Sequence, residues 1–210
     1  MFTNIICIGD SLTRGESGGS QSVQLATNYP FYFSKLTGAT CYNGGLSGRT
    51  TKQWWDEFGS AITGFANYDC AVIYLGTNGG LTDTVETDCD VDYTQNADTN
   101  TGCYGKIIGK IKADAPNCKI FCVAGPSEYL NRDSTMNPAV RHLASFYDVG
   151  LIDLSGCLMD DNGTTTSVER YLYRPIDGIH YNRLGYMTLA NMIYDSMSDF
   201  MSKHLTMYDD

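Results

Sequence analysis

The sequence has no apolar run that approaches the length of a membrane span, and it has no basic segment. Its 210 residues include 14 Lys and Arg against 24 Asp and Glu, which gives a formal net charge of −10. A membrane-spanning helix needs about 20 consecutive apolar residues, and nucleic acids or anionic lipids attract clustered positive charge. We therefore expect a soluble protein that binds neither a membrane nor a nucleic acid. The chain as given also shows no signal peptide, because no charged and apolar leader precedes the first strand.

Metal and redox motifs are absent as well. The eight cysteines include no Cys-x-x-Cys pair, which argues against a zinc ribbon or a thioredoxin-like centre and favours a reducing compartment. Cys118 and Cys122 lie too far apart on a predicted strand to form a disulfide. Cys89 and Cys103 both fall in a long polar loop and could pair. We expect no metal and no cofactor.

Apolar strand-like segments alternate with helical patterns along the chain. This alternation predicts an α/β fold in which a parallel sheet carries helices on both sides. At this length we expect a single domain over residues 1–210. The predicted strands lie near residues 4–9, 39–42, 70–76, 118–124 and 150–154, and the predicted helices lie near 28–37, 51–60, 103–114, 137–147 and 183–203.

The tetrapeptide Gly9-Asp10-Ser11-Leu12 directly follows the first apolar strand. Gly9 permits a sharp exit from the strand, so that Ser11 is presented at the carboxyl edge, where open α/β sheets bind ligands. A turn or helix-capping serine is the ordinary interpretation of such a sequence. A hydrolytic role for Ser11 requires an imidazole base and a carboxylate that orients it.

One of the three histidines suits that role. His142 falls in a predicted helix that Asn137 would cap, and His204 falls in the polar C-terminal segment. His180 follows Asp177 by three residues with Gly178 between them, so one short loop can present both side chains to Ser11. By elimination, His180 is the candidate base and Asp177 the candidate orienting carboxylate.

Two further strand ends could supply hydrogen-bond donors to an oxyanion. Asn78 follows the strand that begins at Cys70, and its side-chain amide is one candidate donor. A glycine N–H from the segment Gly44 to Gly48, after the second strand, is another. Taken singly, Asn78 and Gly48 are more often turn residues than donors. The backbone N–H of Ser11 would be the third donor.

These four segments resemble those of GDSL-type hydrolases, also called the SGNH superfamily after its Ser, Gly, Asn and His. Ser11 stands in the first block, Gly48 in the second, Gly76-Thr77-Asn78 in the third, and Asp177 with His180 in the last. The resemblance implies a five-stranded, flavodoxin-like sheet in a three-layer α/β/α arrangement, and ester hydrolysis by serine chemistry. Gly79 departs from the pattern, because the third block usually continues to an aspartate.

Two inserts interrupt the alternation, at about residues 79–102 and 158–176, and both are expected to shape substrate entry at the sheet edge. In the first insert, Asp88, Asp90 and Asp92 alternate as at the start of a calcium loop. Tyr93 stands where such a loop needs glycine, and Thr99 where it needs glutamate, which favours a solvated acidic loop.

Three functions remain open at this stage. The leading hypothesis is an esterase that removes a small acyl group, such as acetyl, from a carbohydrate or a similar polar alcohol, because no long apolar stretch suggests a lipid-binding lid. The second is a lipase, thioesterase or lysophospholipase on the same fold. The third is a non-catalytic glycan-binding module of a phage particle or a cell surface, suggested by the polar texture, which is typical of bacterial and phage sequences. The location that fits these hypotheses is cytoplasmic or phage-associated.

Overall fold

A computed structural model describes residues 2–61, 64–126, 132–156 and 177–205. All five predicted strands are confirmed: β1 (Asn4–Gly9), β2 (Thr40–Gly45), β3 (Cys70–Tyr74), β4 (Lys119–Ala124) and β5 (Gly150–Asp153). They pair throughout in parallel and form one sheet in the order β2-β1-β3-β4-β5.

Helices cover both faces of the sheet, as the alternation predicts. The helices are α1 (Ser11–Arg14), α2 (Tyr29–Thr37), α3 (Thr51–Glu57), α4 (Val85–Asp88), α5 (Asn100–Asp114), α6 (Met136–Phe146) and α7 (Arg183–Leu205). One face carries α2 packed against α7, and the other carries α3 packed against α5, with α6 beside β4 and β5. The predicted three-layer α/β/α fold is therefore confirmed.

The central strands β1 and β3 appear in the sequence as continuous apolar runs. Residues Ile5 to Ile8 of β1 and all five residues of β3 are fully buried, because helices cover both faces. The chain passes from β2 back across β1 to β3, which makes the β1–β3 boundary the switch point of the sheet. In open α/β sheets, ligands bind at the carboxyl end of such a boundary.

The start of α6 differs from the sequence expectation. The sequence predicts Asn137 as the cap of this helix. In the structure Thr135 holds the cap position, and Asn137 lies inside the first turn. The Asn137 side chain is buried and donates from Nδ2 to the carbonyl oxygen of Gly125, 2.9 Å away, at the end of β4. Its amide therefore ties α6 to the sheet instead of closing the helix end.

Cys89 and Cys103, whose pairing the sequence leaves open, do not form a disulfide. Both thiols are free, and Cys103 is buried in α5, which begins at Asn100. Thr99 caps that helix by accepting the N–H of Gly102 at 3.0 Å, so the helix starts three residues earlier than the apolar pattern indicates. Cys118 and Cys122 are also free thiols, as their spacing predicts.

The acidic insert at residues 79–102 is folded locally. It contains α4 and a short 3₁₀ turn at Tyr93–Gln95. Asp88 accepts the hydroxyls of Thr84 and Thr99 at 2.6 and 2.8 Å, while Asp92 accepts from Thr94. These carboxylates thus bind neighbouring hydroxyls and N–H groups within the insert. The second insert, at 158–176, lies outside the described residues.

No helix in the described ranges combines the length and the apolar character that a membrane crossing requires.

Candidate active site

Ser11 is the first residue of α1, directly after the buried strand β1. Asp10 caps this short helix, because its Oδ1 accepts the N–H of Leu12 at 3.0 Å. The turn is tight: a Cβ atom on Gly9 would overlap the side chain of Thr13 and lie 2.7 Å from the carbonyl oxygen of Tyr74. Glycine is therefore required at position 9, and the strand-to-helix turn places the Ser11 side chain at the carboxyl edge of the sheet.

His180 approaches Ser11 from the segment that precedes α7. Its Nε2 lies 2.9 Å from Oγ of Ser11, and its Nδ1 lies 2.8 Å from Oδ2 of Asp177. A carboxylate can only accept, so the proton of the neutral ring resides on Nδ1 and leaves Nε2 as the acceptor for the Ser11 hydroxyl. The structure thus brings the three predicted residues into one hydrogen-bonded chain.

Asp177 is held by its own turn. Its Oδ1 accepts the backbone N–H groups of Ile179 and His180, both at 2.9 Å, and its Oδ2 accepts the N–H of Gly19 at 3.1 Å. Burial raises the pKa of this carboxyl, but the hydrogen bonds from His180, Ile179 and Gly19 outweigh that effect and lower the pKa to about 2. Asp177 is therefore ionised at neutral pH and oriented toward the imidazole.

The three candidate glycines of the second block occupy different places. Gly44 and Gly45 lie in β2: the carbonyl of Gly44 accepts Nε1 of Trp54 at 2.9 Å, and a Cβ on Gly45 would overlap the backbone of Arg14. Gly48 lies in the following turn with a φ of +71°, and a Cβ there would meet nothing within 4 Å. The structure places Gly48, unlike Gly44 and Gly45, at an exposed turn with free space beside it.

Asn78 lies on the turn after β3 and is exposed. Its Nδ2 donates to the carbonyl oxygen of Arg49 at 3.0 Å, which ties it to the residue after Gly48. An amide nitrogen carries two hydrogens, so a second donor remains for a ligand. The usual aspartate is replaced by Gly79, and within the described residues Arg49 supplies an orienting contact for the Asn78 amide.

Sequence reasoning did not identify Arg132, which lies behind this turn and is 2% exposed. Its Nη1 donates to Oη of Tyr74 at 3.2 Å and to the carbonyl of Pro126 at 3.0 Å, and its Nη2 lies 3.4 Å from Oγ1 of Thr77. Burial raises the pKa of Asp10, and the N–H of Leu12 and the charge of Arg132 offset only part of that rise. No sequence motif marks Arg132, because its partners are the residues that end β3 and follow β3 and β4.

Glu16 was also missed. Its carboxylate accepts the Ser47 hydroxyl at 2.6 Å, next to Gly48. The sequence offers one weak signal for Glu16, which is its position four residues after the Gly9-Asp10-Ser11-Leu12 motif.

This arrangement can activate a hydroxyl nucleophile. Nε2 of His180 accepts from Ser11, and the ionised carboxylate of Asp177 fixes the imidazole ring. On two neighbouring turns, Gly48 has free space beside it and Asn78 is exposed to solvent. Among the described residues, no group of three or more His, Cys, Asp or Glu side chains could hold a metal ion.

Solved structures with this fold include several esterases. They include Est24, a carbohydrate acetylesterase from Sinorhizobium meliloti, with 19% identity, a TM-score of 0.64 and coverage of 94% of this chain and 99% of that chain. An aryl esterase from M. smegmatis shows 20% identity, a TM-score of 0.60 and coverage of 92% and 99%. A lipase/acylhydrolase from Enterococcus faecalis shows 16% identity, a TM-score of 0.59 and coverage of 91% and 93%. At these identities the likeness shows the fold.

The sequence itself identifies the family. A search of the curated proteins returns no match. The profile of the GDSL-like lipase/acylhydrolase family, however, matches residues 7–187, which include Ser11, Gly48, Asn78, Asp177 and His180. The chain therefore belongs to the GDSL-like lipase/acylhydrolase family of ester hydrolases.

Proposed function

We propose that this protein is a serine esterase that removes a small acyl group, acetyl above all, from a carbohydrate or a similar polar alcohol. Ser11 is the nucleophile, His180 the general base and Asp177 the orienting carboxylate. The observation that carries the proposal is the continuous chain from Ser11 Oγ to His180 Nε2 at 2.9 Å and from His180 Nδ1 to Asp177 at 2.8 Å.

In the first half-reaction, Oγ of Ser11 attacks the ester carbonyl carbon while its proton passes to Nε2 of His180. The ionised Asp177 stabilises the imidazolium that forms. The tetrahedral intermediate then collapses: the bond to the alcohol oxygen breaks, and His180 returns the proton to that oxygen. The products of this step are the free alcohol and an acyl group on Ser11.

Charge develops on the former carbonyl oxygen during the attack. We assign its stabilisation to the backbone N–H groups of Ser11 and Gly48 and to the side-chain amide of Asn78. Two observations support this assignment: Gly48 borders free space, and Asn78 is exposed while the carbonyl of Arg49 orients its amide. Such donors are held in place before the reaction, so they stabilise the transition state without reorganisation.

In the second half-reaction, water replaces the alcohol. His180 takes a proton from the water, the hydroxide attacks the acyl carbon, and collapse of the second intermediate returns the proton to Ser11. The acid is released, and the enzyme is restored without a cofactor.

The surroundings of the triad favour a short acyl group and a polar alcohol. Glu16 is bonded through its backbone N–H to the carbonyl of Ser11, and its carboxylate accepts the hydroxyls of Ser22 and Ser47. Asn78 adds an exposed amide on the turn after β3. Pockets that bind long acyl chains need mainly apolar linings. A carbohydrate acetylesterase among the structural neighbours also supports this choice.

We further propose that residues 1–210 act as one catalytic domain. The nucleophile follows the first strand and the base precedes the last helix, so the site is built from nearly the whole length of the chain.

The test is a series of p-nitrophenyl esters from acetate to palmitate, run with the wild-type protein and Ser11→Ala. The proposal predicts the highest kcat/KM for acetate, a fall with chain length, and no activity in Ser11→Ala. Mass spectrometry on acetylated oligosaccharides then tests for release of acetate from glycans. A maximum at long chains would instead indicate a lipase or thioesterase, and hydrolysis of no ester would indicate a binding module.

A further inference from the structure

Glu16 is a buried carboxylate to which the mechanism assigns no role. Its side chain is 11% exposed, although glutamate is rarely buried. Its backbone N–H donates to the carbonyl oxygen of Ser11 at 3.0 Å, and its own carbonyl accepts Oη of Tyr186 at 2.8 Å. The main chain of Glu16 is thus fixed directly to the main chain of the nucleophile.

The Glu16 side chain accepts two hydroxyl groups. Oε1 accepts Oγ of Ser47 at 2.6 Å, Oε2 accepts Oγ of Ser22 at 2.8 Å, and Nε of Arg14 lies 3.5 Å from Oε1. Burial raises the pKa of Glu16, but the hydrogen bonds from Ser47 and Ser22 and the charge of Arg14 outweigh it, so the pKa lies below its ordinary value. Hydroxyl donors bind an ionised carboxylate more strongly than a neutral acceptor.

The bond to Ser47 matters because Ser47 precedes Gly48. The turn that contains Gly48 is loosely closed by its own backbone: the N–H of Arg49 lies 3.4 Å from the carbonyl of Leu46, at the long limit for a hydrogen bond. At 2.6 Å, the contact from Ser47 to Glu16 is much shorter. It joins the Gly48 turn to the segment that carries Ser11.

We propose that Glu16 is a positioning residue for the oxyanion hole, whose carboxylate holds the Ser47–Gly48 turn so that the N–H of Gly48 points at the carbonyl oxygen of the bound ester. This inference rests on the proposed function. A donor displaced by about 1 Å can cost as much as a hundredfold in rate, because its stabilisation acts on charge that appears in the transition state.

The test compares Glu16→Ala, Glu16→Gln, Ser47→Ala and the double variant Glu16→Ala/Ser47→Ala on p-nitrophenyl acetate. Asp69→Asn is the matched control. Asp69 also accepts several hydrogen bonds, from the backbone of Thr3 and Asn4 and from the Thr3 hydroxyl, but it lies at the amino end of β3, away from the carboxyl ends of the strands. Thermal unfolding of each variant separates the loss of stability from the loss of rate.

We expect Glu16→Ala and Ser47→Ala each to lower kcat about tenfold to a hundredfold with KM within about twofold. Glu16→Gln should lose less, because it keeps one acceptor oxygen. The double variant should lose no more than one single variant, since both substitutions remove the same contact. Asp69→Asn should lower Tm and leave kcat unchanged. If Glu16→Ala does not fold, Ser47→Ala and Glu16→Gln carry the same comparison.

Wild-type kcat in folded Glu16→Gln and Ser47→Ala variants would overturn the inference, as would additive losses in the double variant. Activity in Ser11→Ala would contradict the proposed function itself, so the two failures are distinguishable.

Discussion

The Oγ atom of Ser11 lies 2.9 Å from Nε2 of His180, although 169 positions separate the two residues in the chain. The contact forms because β1 ends at the switch point of the sheet, while the segment before α7 folds back over the same edge. The two ends of the described chain thus supply the nucleophile and the base of one site.

Replacing Asn78 tests the oxyanion hole. Asn78→Ala should lower kcat about a hundredfold to a thousandfold, or roughly 3–4 kcal/mol, with little change in KM, because the amide acts on charge present in the transition state. Asn78→Asp should be at least as harmful, since a carboxylate repels the oxyanion. Both are measured at saturating acetate ester. A loss confined to KM would make Asn78 a substrate-binding residue.

The base and its orienting carboxylate should differ in importance. His180→Ala should cost several orders of magnitude in kcat, and Asp177→Asn should cost less, because Asp177 orients the ring and does not transfer the proton. Steady-state rates of both variants on an acetate ester check this expectation. Full activity in both variants would show that another residue is the general base.

Acid should remove part of the stability that Asp177 provides. Its pKa of about 2 in the folded protein lies below the ordinary value of 3.8. A lowered pKa contributes stability above the unfolded value and loses it as pH falls through the folded value, here between about pH 4 and pH 2. The difference in unfolding free energy between wild type and Asp177→Asn should therefore shrink by on the order of 2 kcal/mol from pH 6 to pH 2. Denaturant titrations at both pH values measure it, and a constant difference would contradict the assignment.

His142 should show the opposite pH dependence. Its Nδ1 lies 2.7 Å from Asp83 and its Nε2 lies 3.0 Å from Glu86, and the hydrogen bond with Asp83 is the main cause that raises its pKa above 6.5. A raised pKa contributes stability that is complete below the unfolded value and lost as pH rises through the folded value.

The variant His142→Gln should accordingly be less stable than wild type at pH 5.5 and nearly equal to it at pH 9. Because the groups are partly exposed, the difference should stay below about 1 kcal/mol. The double variant Asp83→Asn/Glu86→Gln should remove this pH dependence. If the loss is equal at both pH values, the ion pair is not its cause.

The sequence predicts the sheet well because its strands are buried on both faces and therefore read as continuous apolar runs. It also predicts the residues that meet at the candidate site, because Ser11 directly follows the first apolar strand and the short Asp177–His180 motif holds a carboxylate and an imidazole on one turn. It fails where a side chain bonds across the fold: Asn137 resembles a helix cap but binds Gly125, and Thr99, not the apolar pattern, starts α5. Arg132 and Glu16 have no motif, because their contacts involve strand ends and turns that only folding brings together.

The most direct test of the account is to identify the residue that carries the acyl group. A fluorophosphonate probe, followed by digestion and mass spectrometry, should label Ser11, because its oxygen is the one that His180 activates. The label should be absent from Ser11→Ala and strongly reduced in His180→Ala, while circular dichroism shows both variants folded. Labelling of another serine in the wild-type protein, or undiminished labelling and ester hydrolysis in Ser11→Ala, would contradict the central claim.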